Sequence, residues 1–163
     1  MFVLDKAVQW LDRLLTFIAS LALVGMVLLT CGNIVSRLIW LPIKGTFELL
    51  GFMGAIVTAF ALGYTQRHRM HIAVDVLVDR FSARTRRALN LINALMCTLF
   101  FFLVAWRLTV YSNILVEQGE LTETLQIIYY PFTYATALGF LVLALIFLME
   151  ILRSIWTKKE DGK

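Results

Sequence analysis

Four long apolar runs, separated by short polar segments, dominate the pattern of this chain. They cover residues 14–36, 46–66, 89–111 and 127–152. Each is at least as long as the ~20 residues that a helix needs to cross a bilayer. In lipid, backbone polar groups find no water, so a membrane-spanning segment must be a helix or part of a closed β-barrel. Barrel strands alternate apolar and polar residues, whereas these runs are apolar throughout. We therefore expect an all-α integral membrane protein with four transmembrane helices, in which residues 1–163 form a single membrane domain.

A different periodicity marks the segment between the second and third runs. On a helical wheel, apolar side chains share one arc of residues 72–87, namely Ala73, Val74, Leu77, Val78 and Phe81. The opposite arc and one flank carry aspartates and arginines. This pattern predicts an amphipathic helix on the membrane surface, with its arginines near anionic lipid headgroups. The alternation from Ile72 to Val78 leaves a strand as an alternative, although a lone strand has no evident pairing partner.

Composition and charge support the membrane assignment and add a topology. Hydrophobic residues make up 60% of the chain and charged residues 16%, against about 45–50% and 25% in soluble domains. A soluble globule of this size would expose large apolar patches. Twelve Lys and Arg lie in the two termini and the loop between runs two and three, and two lie in the remaining loops. The positive-inside rule then predicts that both termini are cytoplasmic, so the net charge of +4 does not indicate nucleic acid.

Small residues recur every four positions in the second run. The row consists of Gly51, Ala55, Ala59 and Gly63. Small side chains let two helix backbones approach closely in a membrane. The row predicts tight helix packing, either with another helix of this chain or with a second protein.

Polar residues near the ends of the runs are the remaining candidates. Arg37 and Glu48 flank the first loop and could pair across it, with Asn33 on the same helix face as Arg37 and Thr46 as an N-cap. Arg107, inside the third run, could snorkel to the interface, or contact Glu117, Glu120 or a partner.

Signs of catalysis or of a cofactor are missing from the sequence. The only histidines, His68 and His71, lie at the edge of the second run, where they cannot form the intramembrane pair that a membrane haem requires. Cys31 and Cys97 lie inside apolar runs without a CxxC pair, which is typical of small packing residues. No nucleophile–base pair or phosphate-binding loop is present. We expect no enzyme, no cofactor and no metal site.

An ordered set of residues resembles a known family. Asn33 and Arg37 end the first run, Glu48 opens the second, and a helix rich in small residues leads into Arg67-x-x-x-His71-Ile72-x-Val74-Asp75. This set is similar to the small membrane subunit of the tripartite ATP-independent periplasmic (TRAP) transporters, the DctQ-like family. Arg69 departs from that pattern, because many members have Gly before the histidine.

The resemblance implies a subunit without a transport site of its own. Its partners would be a large, elevator-type membrane subunit that carries the substrate and sodium sites, and a periplasmic binding protein that captures an organic acid, in the bacterial inner membrane. It implies structural or partner-contact roles for Asn33, Arg37, Glu48, Gly51, Ala55, Ala59, Gly63, Arg67, His71 and Asp75. The acidic loop residues Glu117, Glu120 and Glu123 could help to receive the binding protein.

Two other classes stay open at this point. A small proton-coupled antiporter would need an acidic residue at mid-depth of the membrane, and Glu48 lies close to a helix end. A non-transport assembly or anchor subunit would need no such residue.

Overall fold

Four long helices make up the part of the chain that the computed structural model describes, which is residues 2–39, 42–67 and 83–160. They are α1 (Phe2–Leu38), α2 (Thr46–Arg67), α3 (Ala83–Gln118) and α4 (Tyr130–Glu160). Each contains a stretch that is long and apolar enough to cross a membrane: Val8–Leu38, Thr46–Gln66, Ala88–Gln118 and Tyr130–Leu152. The predicted all-α architecture with four candidate spans is confirmed.

The helix ends differ from the ends of the apolar runs. Helix α1 begins at Phe2 rather than at residue 14, and α3 continues to Gln118 rather than ending at residue 111. Hydropathy marks only the apolar part of a helix, whereas backbone hydrogen bonds continue into the polar turns on either side. Helix α4 begins at Tyr130 rather than at residue 127, since Ile127 and Ile128 pair with Thr122 and Leu121 in the preceding loop.

The predicted amphipathic helix falls mostly outside the described residues. Its residues 72–82 are among those that the structure does not describe, and residues 83–87 belong to the first turns of α3. From Ala83 onwards the backbone runs without interruption into the third span, and the amphipathic helix before it stays a prediction.

Helix α4 lies at the centre of the bundle. It packs against the three other helices, while α2 packs between α1 and α4, and α3 packs mainly along α4. In the most apolar window of each helix, 44% of α4 is buried, against 11% of both α1 and α3. Helices α1 and α3 therefore lie at the two edges and expose many Leu, Val and Phe side chains, as expected of surfaces that face lipid or another subunit.

Two clusters of buried side chains hold the bundle together. One joins α1, α2 and α4 through Leu15, Ala19, Ala59, Phe60, Val142 and Ile146. The other joins α3 to α4 through Ala94, Leu143, Phe147 and Ile151. Because lipid is itself apolar, such clusters stabilise the bundle by close van der Waals packing more than by removal of water.

Candidate functional site

The carboxylate of Glu48 ties the start of α2 to the loop between α3 and α4. One of its oxygens accepts a hydrogen bond from the amide of Thr124 at 2.7 Å, and the other accepts from the amide of Leu125 at 3.1 Å. Hydrogen bonds to a charged acceptor are about twice as strong as neutral ones. Glu48 thus joins two chain segments that are more than 70 residues apart. We call this end of the bundle, where α1 and α3 end and α2 and α4 begin, the Glu48 end.

A glycine makes room for this contact. Gly45 has a φ of 72°, in the left-handed region that glycine adopts without strain. A Cβ at this position would lie 2.2 Å from Cγ of Leu125. Any other residue would displace the leucine whose amide binds Glu48. The turn before α2 and the loop after α3 therefore make two contacts: Gly45 packs against the Leu125 side chain, and Glu48 binds the backbone amides of Thr124 and Leu125.

The loop that Glu48 binds has its own internal framework, centred on the buried Thr122. The Thr122 amide donates to the carbonyl of Ile127 at 2.9 Å, and the Thr122 hydroxyl accepts from the Ile127 amide at 3.0 Å. Leu121 and Ile128 form an antiparallel bridge outside these bonds. The two amides that bind Glu48 are thus held on a short hairpin rather than on a free loop.

A hydrogen bond to Asn33 holds the first loop against α1, and Arg37 takes no part in this contact. Asn33 is buried, and its side-chain oxygen accepts from the amide of Ile43 at 3.2 Å. Arg37 is exposed, and among the described residues no ion pair joins it to Glu48. The expected Arg37–Glu48 pair is wrong: Glu48 instead accepts hydrogen bonds from the backbone amides of Thr124 and Leu125.

Thr46 plays a different role from the predicted N-cap. Its hydroxyl donates to the carbonyl of Ile43 at 2.8 Å, while the amide of Leu49 bonds to the carbonyl of Gly45. Because the Thr46 side chain acts as a donor, it closes the preceding turn instead of accepting from a free helical amide.

Aromatic contacts also join α2 to the start of α4. Phe52 stacks on Phe132 with ring centroids 4.2 Å apart, and meets Tyr129 edge-on at 5.3 Å. The hydroxyl of Tyr134 donates to the side-chain oxygen of Asn113 on α3. These contacts connect α2, α3 and α4 at the Glu48 end, so the hairpin is supported by three helices.

The three acidic candidates lie on or beside this hairpin, and Glu120 takes part in it only through its backbone carbonyl, which accepts from the amide of Tyr129 at 3.4 Å. Glu117, Glu120 and Glu123 are all exposed. Glu48, in contrast, points into the molecule toward the backbone. The Glu48 end therefore presents three exposed carboxylates, on or beside a hydrogen-bonded hairpin.

The row of small residues on α2 is divided between two environments. Ala59 and Gly63 are buried: a Cβ on Gly139 of α4 would lie 2.8 Å from the Cβ of Ala59. Gly51 and Ala55 are exposed, and a Cβ on Gly51 would meet nothing within 4 Å. Successive steps of four residues rotate a helix by about 40° beyond a full turn, so the row covers about 120°. Two of its members therefore pack inside the bundle, and the other two face outward.

The open half of this row belongs to a larger exposed surface. Phe47, Gly51, Ala55 and Thr58 are all exposed and recur at a spacing of three or four residues. We call these four residues the open face of α2.

Asp12 is a buried polar residue that the sequence pattern did not single out. It is 2% exposed, and a Cβ on Gly63 would lie 2.8 Å from its Oδ1 atom. Its spacing to the buried Leu15 and Ala19 is three and seven residues, which is the signal that could have found it. Three residues after Gly63, the side-chain amide of Gln66 donates to the carboxylate of Glu150 on α4 at 3.1 Å. The opposite, Asp12 end of the bundle thus has polar contacts of its own.

Several candidates remain without a described environment. Arg67 is the last residue of α2, and His71 and Asp75 lie outside the described residues, as does His68. Within the described ranges, no group of three His, Cys, Asp or Glu side chains is placed to hold a metal ion.

Four helices that are long and apolar enough to cross a membrane indicate a multi-pass membrane protein. A hairpin joins them at the Glu48 end, and one side of α2 is left exposed. Comparison with known proteins specifies which kind. Residues 26–157 match the family of tripartite ATP-independent periplasmic transporters, DctQ component. The chain belongs to this family of small TRAP permease subunits.

A curated relative supports the same assignment. The small permease protein TeaB of an ectoine TRAP transporter from Halomonas elongata is 24% identical over 155 residues, which covers 91% of this chain and 79% of the relative. No solved structure matches the chain. Membership of the family implies association with a large membrane subunit and a binding protein.

Proposed function

We propose that this chain is the scaffold subunit of a sodium-coupled TRAP transporter that imports an organic acid, either a carboxylate or a sugar acid. In this proposal it stabilises the static part of a large, elevator-type subunit, and a periplasmic binding protein delivers the substrate. Both termini lie in the cytoplasm of a bacterium, and the Glu48 end faces the periplasm. The distribution of lysine and arginine supports this orientation.

The observation that carries the proposal is the open face of α2. The bundle uses Ala59 and Gly63 for its own packing and leaves Gly51 and Ala55 exposed. In a membrane, a glycine or alanine on a helix surface gains little from lipid but allows the backbone of another helix to come close. We therefore place the large subunit on this face.

A transport role for this chain alone has less support. Asp12 is the buried carboxylate that an antiporter would use, yet it lies only four residues from the start of the apolar stretch at Val8. That is about 6 Å along a helix, far from mid-depth.

Co-purification with the large subunit tests the scaffold role. Gly51→Leu and Ala55→Leu should lower the yield of complex by about ten-fold or more, because each inserts a branched side chain where a second backbone must approach. Gly32→Leu is the matched control: Gly32 is also an exposed helical glycine with nothing within 4 Å of its Cβ position, but it lies on α1. Full recovery of the complex with both α2 variants would overturn the assignment of this face.

Uptake into proteoliposomes tests the coupling and the substrate class. The two membrane subunits and the binding protein should accumulate one member of a labelled panel of monocarboxylates, dicarboxylates and sugar acids, with ectoine included in the panel. Replacement of an inward sodium gradient by potassium should abolish accumulation. Uptake that persists without sodium, or that this chain supports alone, would contradict the proposal.

A further inference from the structure

Two cations, Arg37 and Lys44, flank the first loop, which joins α1 to α2. They are the two basic residues in the loops at the Glu48 end. The charge bias that predicts the topology disfavours lysine and arginine on this side of the membrane. Topology therefore gives no reason for the pair, and a ligand of opposite charge would give one.

Neither cation is neutralised within the part of the chain that the structure describes. Both side chains are exposed, and no described residue forms a hydrogen bond or an ion pair with either of them. Glu48, the carboxylate closest in sequence, accepts instead from backbone amides of the hairpin between α3 and α4. The two positive charges are thus available to an external anion.

The folded loop holds Lys44 beside the last turn of α1. The amide of Ile43 donates to the side-chain oxygen of Asn33 at 3.2 Å, and the carbonyl of Ile43 accepts from the Thr46 hydroxyl at 2.8 Å. Asn33 lies one turn before Arg37, on the same face of α1. These contacts bring the backbone of Lys44 to the side of α1 that carries Arg37, so the two cations are arranged before a ligand binds.

The pair also lies at the depth of lipid headgroups. The candidate span of α1 ends at Leu38, one residue after Arg37, and the candidate span of α2 starts at Thr46, two residues after Lys44. The ends of such spans lie where the hydrocarbon meets the polar headgroups. Both cations are therefore at the level of the phosphate groups of one leaflet.

Large apolar side chains accompany the cations. Leu38 and Ile39 follow Arg37 and are 77% and 67% exposed, and Ile43 precedes Lys44 and is 42% exposed. In water these side chains would form an exposed apolar patch, whereas the boundary of a bilayer accommodates them. The loop thus combines charges for a headgroup with an apolar surface for the chains below it.

We propose that the first loop binds one anionic glycerophospholipid from the leaflet at the Glu48 end. Arg37 and Lys44 bind the phosphodiester, the guanidinium by two hydrogen bonds and the ammonium as a point charge. Ile39 and Ile43 contact the start of the acyl chains. The site is separate from the proposed transport function and does not depend on it.

A lipid fits the loop better than a soluble anion or an acidic segment of a periplasmic protein. Either of these would reach the cations from water and would leave Leu38 and Ile39 uncovered. A phospholipid carries its charge and its apolar chains in the same order along the membrane normal as the loop does.

Native mass spectrometry of the full chain in detergent, with equal amounts of dioleoyl phosphatidylglycerol and dioleoyl phosphatidylcholine, tests the proposal. The unmodified chain should retain the anionic lipid in preference to the zwitterionic one. Arg37→Gln and Lys44→Gln should each lower retention of phosphatidylglycerol about three-fold, and the double variant about ten-fold, because charge-assisted hydrogen bonds to the phosphate are lost.

Arg107→Gln is the matched control, because Arg107 is an exposed arginine of α3 that lies outside the first loop. Among the described residues its expected contact with Glu117 or Glu120 is not formed, so the replacement breaks no ion pair there. It should leave lipid retention unchanged. Equal loss of phosphatidylglycerol in Arg107→Gln and Arg37→Gln would overturn the proposal, since the change in net charge would then explain both.

Two further variants keep both cations and change their surroundings. Asn33→Leu removes the acceptor of the Ile43 amide, and Ile39→Gln removes part of the apolar surface, so each should lower retention of phosphatidylglycerol. Retention equal to that of the unmodified chain in both variants would overturn the proposed site. So would loss of the large subunit from the Arg37→Gln and Lys44→Gln double variant with unchanged lipid retention, which would assign the first loop to a protein partner.

Discussion

Two exposed surfaces of this bundle differ in the size of their side chains: the open face of α2, and the side of α3 that carries Phe100, Leu103 and Arg107. The first is formed largely by Gly51 and Ala55, with space above the backbone. The second is formed by large apolar side chains around a single arginine. Both are largely apolar, yet small side chains let another helix backbone come close, whereas large ones hold it away. The size of the side chains, rather than their polarity, distinguishes the two surfaces.

The largest expected effect of a mutation is on the stability of the bundle, and it tests where the open face of α2 ends. Ala59→Leu should destabilise the isolated chain by about 1–3 kcal/mol, because the added atoms meet a fully packed contact with α4. Ala55→Leu, one turn away and exposed, should leave the stability unchanged. The measurement is the midpoint of thermal unfolding in detergent. Similar midpoints for the two variants would mean that the row is not divided in the way described.

A second prediction concerns the tie that holds α2 against the loop following α3. Glu48→Gln keeps the size of the side chain but removes the charge from the acceptor of the Thr124 and Leu125 amides. We expect hydrogen exchange at these two amides to accelerate about ten-fold, as charge-assisted bonds are replaced by weaker ones.

The control for this prediction is Glu117→Gln, which neutralises an exposed carboxylate near the same hairpin. It should leave exchange at both amides unchanged. Protection that survives in Glu48→Gln would show that the Thr122 framework holds the hairpin without Glu48, so that the relative position of α2 and α3 does not depend on this contact.

A third, smaller effect is expected from the exposed carboxylates at the Glu48 end. Replacing Glu117, Glu120 and Glu123 together by Gln should slow the association of the binding protein with the complex about two- to three-fold at low salt. The difference should disappear at high salt, because exposed charges are screened. Association kinetics on the immobilised complex provide the measurement, and a rate that is unchanged at low salt would exclude these residues from docking.

The smallest effect is predicted for the exposed side of α3 when co-purification of the large subunit is measured. Leu103→Ala shortens an exposed side chain of α3 and should leave co-purification of the large subunit unchanged. Gly51→Leu, on the other face, should strongly reduce it. A marked loss of complex with Leu103→Ala would place a protein partner on both faces and would break the contrast between them.

Much of the fold could be predicted because hydropathy is a local property. Each apolar run is long enough to require a helix in lipid, so the four helices follow from the residues of each run alone. The boundaries were less predictable, since α1 and α3 continue as helices through polar turns that hydropathy excludes. The family resemblance rested on residues near helix ends, and the comparison confirmed it over residues 26–157.

The contacts at the candidate site depended on distant parts of the chain. Glu48 was recognised as important, but its partners lie on a hairpin more than 70 residues later, and Arg37 was a nearer and wrong choice. Asp12 was not singled out in the sequence, and its burial depends on the way α1 turns it toward Gly63 of α2. A charge pattern records which residues are present, and does not record the rotation of one helix against another.

The sequence by itself determined the number of spans and the membrane character of this protein, because the cost of exposing backbone and charge to lipid is set residue by residue. Only the tertiary structure decided how the small residues of α2 are shared. Each step of four residues turns the helix by about 40°, so packing against α1 and α4 buries Ala59 and Gly63 and leaves Gly51 and Ala55 open.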